Sequence, residues 1–594
     1  MDSNYPKMIR VSRIDGFFIC VVLVLLIVSW QGLSGPLVFD DLPNLSPISA
    51  ATPPHYSQFI FGNQSGALGR SVSMATFALN HWLSSGLEPF DLKITNLGIH
   101  VANGGLLYCI VLLLLQATHA PNQRRWLALI VSAWWLLSPM NSGVVFYTVQ
   151  RMALLACFFV LLGLFFYVLW RQRRIGSPTG RAACLVVCTI CWPLAFLAKE
   201  NGVLLPILIL IIEIYFFSSN CISNARRLII PSLLIGSVFI VYCLYSSGFL
   251  DYSSRDFTLV ERLSTQPLVL GHYIRELLLP ASVDVGIFND DFPIQTTPWN
   301  FATLSAAVVI ALLLAICIRA TDPSLRAIQS GVVFYFVAHS IESTVIPLEI
   351  YFEHRNYLPS AGLLLSVVLT VDKALSLLKN PSVLKMALPS CMLIWCSFLT
   401  YHKAQAWVSW PSIVANMYQY HPSSVRAGLE MAALLADSND AQGALGVNER
   451  TASYNPQRLL NVGLQRFYIF CLAGTPIAEF EYDTITGLIY PGGLLETSTA
   501  FELLLEARQR TECTNVDFNR VTERIAGMVD TSLLRGLLSA EQAWNIEYYL
   551  IEYARSVDKL EHVTRRIRRS IDGGNAKAEY YLQDILRNER FEPK

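Results

Sequence analysis

Long runs of apolar residues dominate the first two thirds of the chain. Runs of about 20 apolar residues are long enough to cross a bilayer as helices, so this pattern predicts a polytopic membrane protein. We predict eleven transmembrane helices, several of them short. They cover residues 14–33, 94–116, 126–140, 150–170, 182–198, 202–217, 228–247, 301–319, 327–346, 357–376 and 386–401.

Basic residues predict the orientation of these helices. If the N-terminus lies inside, the inner segments hold about twice as many Lys and Arg residues as the much longer outer segments. The first span follows Lys7, Arg10 and Arg13 and is expected to remain as an uncleaved signal anchor. An odd number of spans then places the chain from about residue 402 onward on the outer side.

Two outer loops are long, residues 34–93 and 248–300. Each contains an amphipathic segment, at 74–83 in the first loop and at 268–279 in the second. We expect both segments to lie as helices in the membrane interface, apolar below and polar above. Loops of this length between membrane helices are more often functional than passive.

The composition changes beyond Trp410, where charge rises and long apolar runs disappear. Repeated Ala, Leu and Tyr positions, with breaks such as His421-Pro422 and Gly573-Gly574, predict stacked helix pairs similar to tetratricopeptide repeats (TPR). The predicted fold is therefore all-α. A membrane helical bundle with interfacial helices occupies 1–401, and a TPR-like helical domain occupies 402–594.

Composition supports the membrane prediction, since 53% of the residues are hydrophobic, 15% are charged and the mean hydropathy is +0.43. The formal net charge of zero gives no reason to expect a nucleic-acid partner. Most of the 13 cysteines lie in or beside apolar spans, where they act as small packing residues. Cys471 and Cys513 lie in the polar region, and whether they form a disulfide stays open.

Asp40 and Asp41 are the first candidates for chemistry, because they follow the first span where the chain leaves the bilayer. Two adjacent carboxylates there are costly unless a cation or a reaction uses them. The alternative is a solvated pair that ends a helix. Further ionisable groups lie in outer loops or at the outer ends of apolar helices: Arg70, Arg151, Lys199, Glu200, His272, Asp291, Glu353, His354 and Arg355.

Most of these groups also have a structural explanation. Lys199 and Glu200 would neutralise each other in a turn, Arg151 would extend to the membrane surface, and Asp291 would lie in an exposed loop. The sequence Glu353-His354-Arg355 is harder to explain in this way, because three ionisable groups follow a nearly uncharged helix. Zinc motifs and phosphate-binding glycine loops are not found, so no metal ligand or cofactor is assigned and a divalent metal requirement stays open.

Carboxylates and cations that meet at one membrane face suit group transfer from a lipid phosphate. An aspartate can orient and deprotonate an acceptor hydroxyl as a general base. Arg and Lys can bind the phosphate that departs as an anion. Membrane helices would hold the lipid tail, and the interfacial helices would cover the site.

The order of several short motifs resembles that of the GT-C membrane glycosyltransferases. The sequence is most similar to the branch that contains the transmembrane-and-TPR O-mannosyltransferases and their bacterial relatives. The resemblance covers about residues 14 to 400. It rests on Phe39-Asp40-Asp41, Gly69-Arg70-Ser71-Val72-Ser73, Thr95-Asn96-Leu97-Gly98-Ile99-His100, Gln150-Arg151-Met152, Lys199-Glu200-Asn201-Gly202, Glu261-Arg262-Leu263, Phe288-Asn289-Asp290-Asp291 and Glu353-His354-Arg355-Asn356-Tyr357.

This resemblance implies a polyprenyl-phosphate sugar as donor and the acidic pair of the first outer loop as the catalytic residues. Asp41 is the first choice, because it lies deeper in the loop, and Asp40 is the second. The resemblance implies that the donor phosphate is bound by Arg70, Arg151, Lys199, His354 and Arg355. It also implies a bacterial inner-membrane protein whose site and C-terminal domain are periplasmic.

The acceptor is expected to be a Ser or Thr of an exported protein, for example a type IV pilin, that docks on the C-terminal domain. Two alternatives stay open at this point. In the first, the enzyme modifies a glycan or a lipid. In the second, the chain is a transporter with a scaffold domain. The transporter is disfavoured because the sequence shows neither inverted repeats nor midplane helix breaks, and the polar groups lie at one surface.

Overall fold

A computed structural model describes residues 13–49, 54–63, 65–66, 69–217, 252, 255–317, 322–454, 459–484, 494–510, 513–557 and 559–588. Within these ranges the secondary structure is entirely helical, with 25 α-helices and no strand. The all-α prediction is thereby confirmed for the described chain.

The chain divides into two compact units. The first, called here the apolar unit, comprises Met1–Leu250, Arg262–Gly286 and Gln295–Ile413. The second, called here the helical unit, comprises Asp251–Glu261, Ile287–Ile294 and Val414–Lys594. Two short segments of the long second loop therefore belong to the helical unit, although they precede it in sequence by more than a hundred residues.

Six helices of the described chain are long and apolar enough to cross a membrane: Ile14–Ser34, Pro89–Ala117, Thr148–Arg171, Pro178–Ala198, Glu200–Phe217 and Ser382–Ala406. A bent pair, Pro121–Leu137 and Pro139–Phe146, gives a seventh if it counts as one span with a 53° bend. These elements coincide with seven of the predicted spans. The long apolar helices indicate a multi-pass membrane protein.

Three other predicted spans form shorter helices, Phe301–Cys317, Pro323–Ala338 and Pro359–Leu375. The predicted span 228–247 lies outside the described residues. Within the long spans, α-helix covers Arg13–Ser29, Pro89–Leu114, Arg151–Arg171 and Leu205–Ile212. The apolar unit also contains the helices Asp41–Leu45, Tyr56–Phe61, Ser71–Ser84 and, shared with the helical unit at its start, Leu259–Leu278.

The predicted span 327–346 ends early, at Ala338, for a specific reason. Arg262 donates hydrogen bonds to the backbone carbonyls of Glu342 (2.7 Å) and Thr344 (2.8 Å). In an α-helix each backbone carbonyl accepts a hydrogen bond from the N–H group four residues later. Here the Arg262 guanidinium takes these acceptors instead, so the segment forms a loop. The loop then brings Glu342 inward, where it is 4% exposed.

The helices Pro323–Ala338 and Pro359–Leu375 pack with their backbones in direct contact. A Cβ atom added at Gly331 would lie 2.2 Å from the carbonyl oxygen of Gly362, so only glycine fits there. Small residues allow this close approach between membrane helices. Elsewhere large apolar side chains point outward, such as Ile27 at 72% and Ile394 at 69% exposure, as expected for lipid-facing surfaces.

The two predicted amphipathic segments of the outer loops are both helical, within Ser71–Ser84 and Leu259–Leu278. The helical unit is built from Trp410–Tyr420, Val425–Asp437, Ala441–Tyr454, Leu459–Ala473, Glu479–Thr484, Leu494–Arg510, Phe518–Leu534, Ala540–Ser556, Leu560–Asp572 and Ala576–Asn588. The first of these begins in the apolar unit. A disulfide joins Cys471 and Cys513, the pair that the sequence left open.

Candidate functional site

Asp41 is fully buried, and both of its carboxylate oxygens accept hydrogen bonds from the backbone. Val38 N donates to Oδ2 at 3.0 Å and Val149 N donates to Oδ1 at 2.6 Å. Burial raises the pKa of Asp41 to about 7, while the two N–H groups and the charge of Lys93 pull it downward. Asp41 thus ties the loop that follows the first span to the start of the helix that carries Arg151.

The loop before the acidic pair is held by Lys93, which is fully buried. Its ammonium group donates to the carbonyl oxygens of Gly35 (2.9 Å) and Pro36 (3.1 Å) and lies 5.5 Å from the ring centroid of Trp407. A buried ammonium needs such acceptors, and here they fix the chain five residues before Asp40. Lys93 therefore fixes the loop that leads into Asp40 and Asp41.

Asp40 has a different environment from its neighbour. It is exposed, its backbone N–H donates to the hydroxyl of Tyr147 at 3.2 Å, and it lines a cavity of about 880 Å³. Asn44, His55 and Arg70 line the same cavity. Of the two aspartates, Asp40 is therefore the one that a ligand in this cavity can reach.

Arg70, which lines this cavity, and Phe39, which precedes Asp40, have strained backbones. Phe39 (φ 46°) and Arg70 (φ 47°) both adopt the left-handed conformation, although neither is glycine. Bulky residues rarely do so, and each instance costs on the order of 1–3 kcal/mol unless the surroundings enforce it. The two strained positions are thus the residue directly before Asp40 and Arg70 itself.

Arg70 is held by a two-pronged ion pair with Glu200. Nη2 lies 3.0 Å from Oε2 and Nε lies 3.2 Å from Oε1, while Nη1 lies 3.1 Å from the sulfur of Met152. The side chains are about a quarter exposed, so solvent reaches the pair. Glu200 thus orients Arg70 without removing it from the cavity that Asp40 lines.

Lys199, next to Glu200, forms a buried ion pair with Glu342 at 2.9 Å. The second oxygen of Glu342, Oε2, has no hydrogen-bond partner among the described residues. An ion pair this deep is costly to form, because both charges lose their hydration. Glu342 is the group that the sequence analysis missed here.

His354 lies among three cations. Burial, followed by the positive charges of Lys199, Arg355 and Arg70, lowers the pKa of His354 well below its usual range. The imidazole is therefore neutral at pH 7, and no described residue hydrogen-bonds it. Arg355 is 5% exposed and donates to the backbone carbonyls of Glu349 and Ile350. We call Arg70, Lys199 and Arg355, together with the neutral His354 among them, the cationic cluster.

Arg151 is placed differently from these cations. It is fully buried, and its guanidinium donates to Asn96 Oδ1 (2.7 Å), Leu92 O (2.7 Å) and Asn80 Oδ1 (2.5 Å). It also lies 4.3 Å from the ring centroid of Phe77. Arg151 therefore joins three helices, and its donors are used within the protein.

Comparisons with protein-family models, with curated proteins and with solved structures find no match.

Glu353 forms an ion pair with Lys403, which lies in the last turn of the helix Ser382–Ala406. Burial raises the pKa of Glu353 to about 7, against the charge of Lys403. A Cβ atom added at Gly286 would lie 2.7 Å from Glu353 Oε2, so the neighbouring loop packs tightly on this pair. The ring of His272 packs against the ring of Tyr351, with 5.2 Å between the two ring centroids.

Asp291 lies in the helical unit, together with Asp290. His421 Nδ1 lies 2.8 Å from Asp291 Oδ1, and Ser423 Oγ donates to Oδ2 at 3.2 Å. Asp290 accepts hydrogen bonds from the Ser424 hydroxyl and from Val425 N (3.0 Å). Through these contacts the two aspartates hold the segment Ile287–Ile294 against the start of the helix Val425–Asp437.

Several residues of this site were not predicted from the sequence. Lys93, Tyr147, Glu342 and Lys403 all contact or hold predicted site residues. One signal was available, because Glu342 is an acid inside a predicted span, and such residues are functional hypotheses in their own right. Among the described residues, no group of three or more His, Cys, Asp or Glu side chains is placed to hold a metal ion.

Proposed function

We propose that the chain is a membrane glycosyltransferase of GT-C type. It would move a sugar from a polyprenyl-phosphate carrier to an acceptor on the outer side of the membrane. The observation that carries this proposal is that Asp40 and Arg70 line one cavity while Arg70, Lys199 and Arg355 act together on His354. A reachable carboxylate beside grouped cations suits a reaction that releases a phosphate anion.

In the proposed reaction Asp40 accepts the proton of an acceptor hydroxyl, whose oxygen attacks the anomeric carbon of the donor sugar. The bond from that carbon to the phosphate oxygen breaks, and polyprenyl phosphate leaves as an anion. Asp41 does not touch the substrate in this account; it positions Asp40 through the backbone hydrogen bonds to Val38 and Val149. The resemblance favoured Asp41 as the catalytic residue and Asp40 as the second choice. The proposed reaction reverses that order.

The departing phosphate would be bound by the cationic cluster. Arg70 places a positive charge at the cavity wall, on a guanidinium that Glu200 orients and that remains about a quarter exposed. His354 offers a neutral imidazole whose nitrogens no described residue hydrogen-bonds. Lys199 and Arg355 contribute positive charge from buried positions. Arg151 is left out of the phosphate site, because Asn80, Asn96 and Leu92 use its donors.

The membrane arrangement belongs to the same proposal. Eleven spans, with the described ones among them, would hold the isoprenoid tail and leave the helical unit on the outer side. The Cys471–Cys513 disulfide supports that side, since such bonds persist in oxidising compartments. We accordingly propose a bacterial inner-membrane protein with a periplasmic site and a TPR-like domain that docks the acceptor.

The experiment that tests this proposal compares the native host with and without the gene. We expect loss of a discrete sugar mass from an exported protein, such as a pilin, and its return when the wild-type gene is restored. Intact-mass spectrometry of exported proteins and of surface glycans measures this. A mass change in glycans alone would move the proposal to a glycan acceptor. Identical masses in both fractions would contradict sugar transfer.

A further inference from the structure

Three helices of the apolar unit, Pro121–Leu137, Pro359–Leu375 and Ser382–Ala406, enclose a further cavity of about 230 Å³. Its lining side chains are apolar or aromatic except at one end, where Asp372 and Lys385 line it. This cavity shares no lining residue with the one that contains Asp40. It is therefore separate from the candidate transfer site, and its apolar walls suit a hydrocarbon chain.

The polar end of this cavity is organised by hydrogen bonds. Lys385 Nζ lies 2.7 Å from Asp372 Oδ1 and donates to Ser376 Oγ at 2.7 Å. Gln123 Nε2 donates to the other oxygen of Asp372 at 2.9 Å. An ammonium group has three N–H donors, and Asp372 and Ser376 take two of them. Because the Lys385 side chain is still 28% exposed, its third donor can reach a ligand at this end of the cavity.

Trp134 adds a donor without a partner to the cavity wall. The residue is 8% exposed, and its indole N–H has no hydrogen-bond partner in the described part of the chain. A buried N–H group that lacks an acceptor is costly. A ligand that carries an oxygen beside its apolar chain, as an ester does, would supply that acceptor, whereas a plain hydrocarbon would not.

Positive charge is concentrated around the polar end. Residues 119–125 and 372–385 contain five Lys and Arg side chains and a single acidic one, Asp372. Two of the basic side chains form ion pairs with acids from other segments, Arg125 with Asp15 and Lys373 with Asp322. Arg124 faces the like charges of Arg125 and Arg174 and has no ion-pair partner among the described residues. The positive charges at this end therefore outnumber the negative ones.

We propose that this cavity binds an acyl chain of an anionic phospholipid, whose phosphate contacts Lys385 and whose ester oxygen accepts from Trp134. Basic pockets between membrane helices are suited to anionic lipid head groups. A soluble anion would leave the apolar walls without a partner, and a lipid without net charge would leave the excess positive charge unbalanced. The proposal goes beyond sugar transfer and does not depend on it.

The test uses the full-length protein, purified in detergent and stripped of lipid, and native mass spectrometry with added dioleoyl lipids. Phosphatidylglycerol should bind at least about tenfold more tightly than phosphatidylcholine, which has the same chains and no net charge. Lys385→Gln removes the charged donor, and Val371→Trp fills the cavity from a residue that is 39% exposed. Each substitution should weaken phosphatidylglycerol binding about tenfold.

The matched controls are Lys577→Gln and Val309→Trp, because both residues are exposed and neither lines this cavity. Both controls should bind phosphatidylglycerol as the wild type does. Thermal unfolding without lipid shows which variants are folded, and since the two test substitutions change different groups, either one alone decides the result.

The proposal is overturned if the two lipids bind alike, or if a folded Lys385→Gln or Val371→Trp variant binds phosphatidylglycerol as the wild type does. It is also overturned if polyprenyl phosphate displaces phosphatidylglycerol, because the cavity would then belong to the carrier lipid. No sugar donor or acceptor is present in these measurements, so failure here leaves the proposed transfer reaction untouched.

Discussion

The Oδ1 atom of Asp41 lies 2.6 Å from the backbone nitrogen of Val149, in a contact that spans more than a hundred residues of sequence. Its other oxygen is bound by Val38 N, so the Asp41 carboxylate is used entirely within the protein. Asp40, one residue earlier, lines the cavity. The two aspartates therefore have separable roles, one in positioning and one in chemistry.

This separation predicts different outcomes for two substitutions. Asp41→Ala removes the acceptor of two buried N–H groups and should destabilise the protein by about 2–4 kcal/mol. Asp40→Asn alters an exposed side chain and should change stability by less than about 0.5 kcal/mol. Thermal unfolding of the purified protein in detergent measures both. If Asp41→Ala were as stable as the wild type, the positioning role of Asp41 would be contradicted.

Arg70 should control the affinity for the carrier lipid. Arg70→Met removes the partly exposed guanidinium at the cavity. Hydrogen bonds to charged groups contribute about 1.5–3 kcal/mol, which corresponds to roughly tenfold to a hundredfold weaker binding. Stabilisation of the protein by polyprenyl phosphate, relative to the uncharged polyprenol, measures this. Arg275→Met is the matched control, because Arg275 is 64% exposed and pairs only weakly with its neighbour Glu276. A similar loss in both variants would contradict a specific phosphate site.

Glu430 makes stability depend on pH. Burial raises its pKa to about 7, and no described residue pairs with it. The folded state therefore holds a proton that the unfolded state releases near pH 4.5. Stability should fall as pH rises from about 4.5 to 7, by as much as roughly 3 kcal/mol. Glu430→Gln should remove this loss, so that the variant is more stable than wild type at pH 8.

Unfolding midpoints at pH 4.5 and pH 8 check this prediction for Glu430. The control is Glu449→Gln, since Glu449 is 65% exposed and should show no pH-dependent difference from wild type. If Glu430→Gln were destabilised equally at both pH values, its carboxyl would not be the titrating group.

The Cys471–Cys513 disulfide should report on the location of the helical unit. Reduction should lower stability by roughly 3–4 kcal/mol, because the bond closes a long loop. In intact cells, a reductant and a maleimide that do not cross the membrane should together label these cysteines. Cys471→Ser with Cys513→Ser is the control that should abolish labelling. Labelling that requires permeabilised membranes would place the helical unit inside.

The sequence predicted the long helices well, because an apolar run of sufficient length has few alternatives to a buried or membrane-spanning helix. It placed the end of the span at 327–346 too late, since the helix ends at Ala338. That end is set by Arg262, which binds the carbonyls of Glu342 and Thr344 from a distant part of the chain. Local hydrophobicity contains no information about such a partner.

The same limit applies to the candidate site. Arg70 and Arg151 have the same side chain and both lie where a helix begins, yet of the two only Arg70 lines the cavity. The difference arises because Asn80 and Asn96, far from Arg151 in sequence, take up its donors. Likewise, the choice between Asp40 and Asp41 depends on Val149. Long-range hydrogen bonds of this kind decide which side chains remain available to a ligand, and the local sequence does not show them.

The most direct test of the transfer account is the activity of Asp40→Asn in the native host, at wild-type expression and stability. The account predicts that this variant fails to restore the sugar mass on the exported acceptor, while Glu449→Gln restores it fully. If Asp40→Asn restored the mass to the wild-type level, Asp40 would not be the general base, and the proposed reaction would be wrong.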